Sequence, residues 1–180
     1  MARRLFTVEE FVRMGEAGVF PEGERVELLD GEIVQLSPIG PRHGTCVALL
    51  TELFVAQASR RLLVWTQSGV NFDRRTQLEP DLALLARRVD VFRVAGVTPA
   101  DVFLVVEVAD TSLAYDRAKI ARYARAGIRE AWIVNLSEEV VEVYREPHGD
   151  EYAQQMRAHR GEHLTTAAFP DITIAVADVL

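Results

Sequence analysis

Apolar positions along this chain repeat with two periods, and the change between them outlines the elements. Val47, Leu50, Phe54, Ala58 and Leu62 recur every three or four residues, which predicts an amphipathic helix from Gly44 to about Arg61. Before it, Thr7-Val8-Glu9-Glu10 reads as a capping box opening a short helix to about Gly15. Residues 18–23 read as loop. Val26–Leu29 and Glu32–Leu36 flank Asp30-Gly31, a strong hairpin signal. The Pro- and Gly-bearing stretch Ser37–Gly44 reads as a loop.

Short apolar runs take over after residue 61. Leu62–Thr66, Val70–Phe72 and Leu82–Ala86 read as strands, and the run Val102–Val108, apolar but for Glu107, has the composition of a strand covered on both faces. A second helix is predicted from Leu113 to Ala126, stopped by Gly127. Ala131–Leu136 and Val140–Tyr144 follow as a hairpin through Ser137-Glu138-Glu139, with weaker strands near 151–157 and 172–176. The fold class is therefore α/β or α+β: a mixed sheet flanked by helices, with an N-terminal β-hairpin, built as one domain over residues 1–180.

Composition narrows the setting. An apolar share of 49% and a charged share of 26% are those of a folded globular chain. No run has the length of a membrane helix, so no membrane partner is expected. No signal-peptide stretch follows Arg3 and Arg4, and Cys46 is the only cysteine; a reducing cytoplasm is the expected location. The net charge of −7 opposes long-range attraction to nucleic acid, so any such contact needs a cation, a second subunit or a partner. Of the 20 basic residues only Lys119 is lysine. A chain that uses arginine everywhere else has placed its one compact, flexible ammonium at a single position.

Three features converge on that lysine. Glu79-Pro80-Asp81 sets a carboxylate at the start of the 82–86 strand, and Glu107 ends the apolar run 102–106. A charge there is costly unless it is paired or bound to a cation. Asp116, Lys119 and Tyr123 share one helix face through spacings of three and four. Two carboxylates at neighbouring strand ends suit Mg²⁺ or Mn²⁺, hard cations that prefer oxygen donors and can polarise a phosphodiester. A nearby ammonium can orient the attacking water and stabilise the transition-state charge.

With Pro80-Asp81, then Glu107, then a lysine, the chain resembles the PD-(D/E)xK nuclease superfamily. More closely it resembles the Uma-two family of restriction-endonuclease-like bacterial proteins. The similar segments are Val26–Val34, Ser37-Pro38 with His43, Glu79-Pro80-Asp81, Val106–Arg117 with Lys119, Tyr123–Ile128, and Trp132-Ile133-Val134. Together they span roughly residues 5 to 145. The resemblance implies a restriction-endonuclease-like fold, Asp81 and Glu107 as metal ligands with the backbone carbonyl of Val108, and Lys119 as a catalytic residue. It also implies that Glu27 and His43 lie near the site. One departure stands out: the superfamily lysine sits two residues after the acid, where this chain has Ala109, and Lys119 on the following helix takes its place.

Structural readings compete at each position. Asp81 could simply begin a strand, Glu107 could pair with Arg117 or Arg122, and Lys119 could pair with Asp116 on an exposed helix. Trp65, Trp132 and Phe103 read as core or interface, the Arg60-Arg61, Arg74-Arg75 and Arg87-Arg88 doublets as solvated surface, and His148, His159 and His163 as unassigned. The leading expectation is a metal-dependent endonuclease acting on nucleic acid, with DNA the expected substrate and a homodimer suited to two-strand cleavage. The alternative is a nuclease-fold binding or regulatory module that acts through a protein partner. Nucleotide hydrolysis finds no Gly-rich phosphate loop, and no nucleophile elbow is present.

Overall fold

The structure is a computed structural model and describes residues 3–180. Helix α1, Val8–Glu16, opens on the expected capping box: Thr7 Oγ1 accepts from the Glu10 amide, and Glu10 Oε2 accepts from the Thr7 amide. Strands β1 (Val26–Leu29) and β2 (Glu32–Gln35) form the predicted hairpin. Asp30 and Gly31 both take positive φ, as a tight two-residue connection requires. Helix α2 spans Pro41–Ala58. It begins three residues earlier than the expected Gly44, so His43 lies in its first turn and not in a loop. Pro41 supplies the reason, because its fixed φ and missing N–H suit the first helical position.

Strands β3 (Leu62–Thr66), β4 (Val70–Asp73), β5 (Thr76–Leu78) and β6 (Leu82–Ala86) come next, then a short helix α3 (Val89–Ala95), which has no counterpart in the sequence reading. Strand β7 (Val102–Ala109), helix α4 (Leu113–Arg125) and strand β8 (Glu130–Asn135) form a β-α-β unit. Strands β9 (Val140–His148), β10 (Glu151–His159), β11 (His163–Thr165) and β12 (Thr173–Ala175) complete the chain. The main sheet runs β10-β9-β8-β7-β6-β3, with β7 and β8 parallel and its other pairs antiparallel. A second sheet, β2-β1-β5-β4, carries the N-terminal hairpin.

Strand alternation divides the interior in two. The even residues of β7, Leu104, Val106 and Val108, pack with α2 residues such as Leu50 and Phe54 and with Trp132. The odd residues Val105 and Ala109 pack with Ile120, Tyr123 and Ala124 of α4. Glu107 shares the odd parity and therefore faces α4. That helix is stopped by Gly127 at φ +76°, with the Gly127 amide donating to Ala124 and the Ile128 amide donating to Tyr123. These two bonds are those of a Schellman cap, and they fix the axial position of the helix that carries Lys119. Among the described residues no helix is long and apolar enough to cross a membrane.

Candidate active site

The β6–β7 pairing sets the two acids side by side. Leu82 is opposite Val106, so Asp81 at the entrance to β6 meets the end of β7. There the Val108 amide donates to Asp81 Oδ2 at 2.9 Å, and His43 Nε2 lies 2.9 Å from the same oxygen. Both bonds use Oδ2, leaving Oδ1 without a donor among the described residues. His43 reaches this point from the first turn of α2, and its Nδ1 is buried with no partner among the described residues. Burial raises the Asp81 carboxyl, but the His43 bond and charge, the Val108 amide and Lys119 outweigh it, so its pKa lies below the ordinary value.

Glu107 and Lys119 are each 2% exposed. The ammonium lies 2.8 Å from Glu107 Oε1 and donates to Glu27 Oε1 at 3.2 Å. Tyr123, one turn further along α4, donates its hydroxyl to Glu107 Oε1 as well, so Oε2 has no donor among the described residues. The expected helix face is therefore present, and all of Asp116, Lys119 and Tyr123 are buried. Arg117 and Arg122, the other candidate partners of Glu107, bind Glu142 and Asp30 instead.

Glu27 crosses from the second sheet and is fully engaged. Oε1 accepts from the Glu79 amide at 2.7 Å and from Lys119, while Oε2 accepts from the Tyr115 hydroxyl at 2.6 Å. Tyr115 also lays its ring 5.5 Å from the ammonium, a cation–π distance. Sequence reading does not single out Tyr115. Its spacing of four from Lys119 is the available signal, but an aromatic residue on a helix face reads first as core. Asp116 accepts from the Ser112 hydroxyl at 2.5 Å.

Electrostatically the cluster lacks positive charge. Four buried carboxylates, Glu27, Asp81, Glu107 and Asp116, surround one buried ammonium. Burial pushes Glu107 up strongly; Lys119 offsets part of this, while Asp81, Asp116 and Glu27 add to it, giving about 8. Asp116 is pushed up to about 6, chiefly by burial, with Lys119 and Ser112 opposing. Burial would lower Lys119, yet Glu107, Glu27 and Asp116 hold its ammonium protonated well above the usual lysine range. A divalent cation would balance the set, and each of Asp81 and Glu107 keeps one oxygen for it. Among the described residues no three His, Cys, Asp or Glu side chains close into a cage. Two carboxylates with the Val108 carbonyl would match a cation that retains most of its water, as Mg²⁺ does.

Asp81, Glu107, Asp116, Lys119, His43 and Tyr115 line a cleft of about 490 Å³, and Glu27 and Tyr123 are buried outside its lining. His148, His159 and His163 are exposed and far along the chain from it, Cys46 is buried against the α2 core, and Trp132 is core.

Comparisons with known proteins agree with this architecture. A search of curated proteins finds no match. Among solved structures, a protein of Anabaena variabilis ATCC 29413 described as a "putative nuclease belonging to DUF820" superposes with a TM-score of 0.76. The match covers 97% of each chain at 15% identity, and so bears on the fold. A family model described as "Putative restriction endonuclease" matches residues 8–177. The chain belongs to that family, Uma2, and has its restriction-endonuclease-like nuclease fold.

Proposed function

We propose that this chain, acting as one nuclease domain, is a Mg²⁺- or Mn²⁺-dependent endonuclease that hydrolyses nucleic-acid phosphodiesters, DNA in the first instance. Asp81, Glu107 and the backbone carbonyl of Val108 hold the cation, and Lys119 is the catalytic ammonium. The observation that carries this reading is the composition of the cluster: four buried carboxyl groups, three of them lining the cleft, share a single buried ammonium. A cation bound there supplies Lewis acidity at the phosphate and neutralises charge in the transition state.

The side chains do the rest. Lys119, held between Glu107 and Glu27, presents its ammonium to the phosphate and the attacking water. As water adds to phosphorus and gives its proton to solvent, and the bond to the leaving sugar oxygen breaks with that oxygen taking a proton from solvent, that fixed charge stabilises the added negative charge without needing to reorganise. His43 and the Val108 amide fix Asp81 through Oδ2, and Tyr123 fixes Glu107 through Oε1. Glu27, outside the cleft lining, and Tyr115, within it, position the ammonium. A homodimer would suit cleavage of both strands.

Calorimetry of Mn²⁺ and Mg²⁺ binding, on wild type and Asp81→Ala, paired with plasmid nicking, tests the proposal. Binding and nicking should both be lost in the variant. A wild type that binds neither ion, with or without DNA, would overturn it. The net charge of −7 favours a second reading, a nuclease-fold module that acts through a protein partner. Glu107→Ala separates the two: a nuclease loses metal affinity and cleavage, while a binding module keeps its partner.

A further inference from the structure

The walls of the cleft differ from its floor. Five carboxylates line it, those of Glu79, Asp81, Glu107, Asp110 and Asp116. Against them stand Lys119, already held by two of the buried acids, and Arg25. Arg25 makes no ion pair among the described residues, although its charge reaches Glu79. Arg42, just outside, is tied to Asp110 and to the Leu136 carbonyl. One side of the mouth is apolar: Val34, Leu36, Pro38 and Ile39, with Ile39 41% exposed.

This wall continues outward. A neighbouring groove of about 500 Å³ shares Arg25, Gln35, Leu36, Pro38 and Ile39 with the cleft. An apolar ridge bearing one open guanidinium therefore separates two connected hollows. The site acids themselves are deep, Asp81 being 6% and Glu107 2% exposed.

An intact duplex fits this surface poorly. It presents two rails of phosphate and keeps its base faces stacked inside, so its affinity comes from many cations. Here one unpaired cation faces five carboxylates, and the apolar ridge would meet only sugar and phosphate. An unpaired strand has the complementary chemistry: base faces to lay on an apolar wall, and a backbone that can bend to carry one phosphate to the floor. The volume suits roughly one nucleotide-sized group, in the range of ordinary ligand pockets.

Resting on the nuclease reading above, we infer that the cleft takes single-stranded nucleic acid. An unpaired nucleotide packs its base against Leu36, Pro38 and Ile39, Arg25 meets a neighbouring phosphate, and the strand leaves along the adjoining groove.

The test uses the full chain with Mn²⁺ and one labelled oligonucleotide, either alone or annealed to its complement as a blunt duplex. The single strand should be cut at least about tenfold faster. Ile39→Asp, at an exposed position that thermal melting can show to be folded, should raise KM for the single strand about fivefold or more. Duplex cut as fast as single strand, or an Ile39→Asp variant that leaves KM unmoved, overturns the inference and leaves the nuclease reading intact. If neither form is cut, the nuclease reading fails, and fluorescence anisotropy with the same two probes decides the inference: preferred binding of the single strand sustains it, and equal or weaker binding overturns it.

Discussion

Replacing Glu107 with Gln should remove most of the alkaline loss of stability of the metal-free protein. Glu107 has an ordinary value of 4.5 and is pushed to about 8 in the folded chain, mainly by burial. The folded state therefore holds a proton that the unfolded state releases. When the native state binds more protons, stability falls as pH rises, here through the window between those two values. The slope is about 1.4 kcal/mol per pH unit where the difference is one full proton, and integration from about pH 6 to about pH 8 gives a loss on the order of 2 kcal/mol. Asp116, at about 6, is half deprotonated at the start of that range and adds about half a kcal/mol to the same loss, and Lys119 stays protonated across it. Urea unfolding in EDTA at both pH values is the assay, with wild type and Glu107→Gln in parallel. A wild type equally or more stable at the higher pH, or a variant with the same pH slope, would refute the reasoning.

Lys119→Met leaves Glu27 and Glu107 facing each other without their shared cation, which should cost about 3–5 kcal/mol in urea unfolding; adding Glu107→Gln should recover part of it. Gly31→Ala should destabilise by more than about 1 kcal/mol in thermal denaturation. Its φ is +85°, and a Cβ there would lie 2.7 Å from Leu5 Cβ. Cys46 should resist a disulfide exchange reagent in the native protein and react fully in denaturant, because burial and the Asp81 charge push its thiol up to about 12.

The central elements were legible because their signals are local. A short β-branched apolar run such as 102–106 has the composition of a covered strand, and a spacing of three and four puts Asp116, Lys119 and Tyr123 on one face. The convergence of Asp81, Glu107 and Lys119 follows from strand ends and that helix face. Other parts depend on contacts that no local pattern encodes. Glu27 and Lys119 meet across 92 positions, one on the second sheet and the other on helix α4, so alternation alone could not show that Glu27 is held by three donors. The turn-rich composition of 37–44 concealed that Pro41 starts a helix. Strands β5 and β11, of three residues each, are too short to leave a period.

The parity of β7 also bears on how such a site can change over generations. Ala109 stands one alternation beyond Glu107, on the same α4-facing side and among the same helix residues as Lys119. A lysine two places after the acid would issue from that position. Residues 109 and 119 therefore belong to the two elements that pack on Glu107's side of the sheet, one on the strand and one on the helix. On the proposed nuclease reading, the requirement that descent must satisfy is an ammonium within reach of Glu107, and two separate codons can meet it. A lineage can gain the second lysine before losing the first and keep the charge in place throughout, so the motif written in a sequence can move while the chemistry stays where it was.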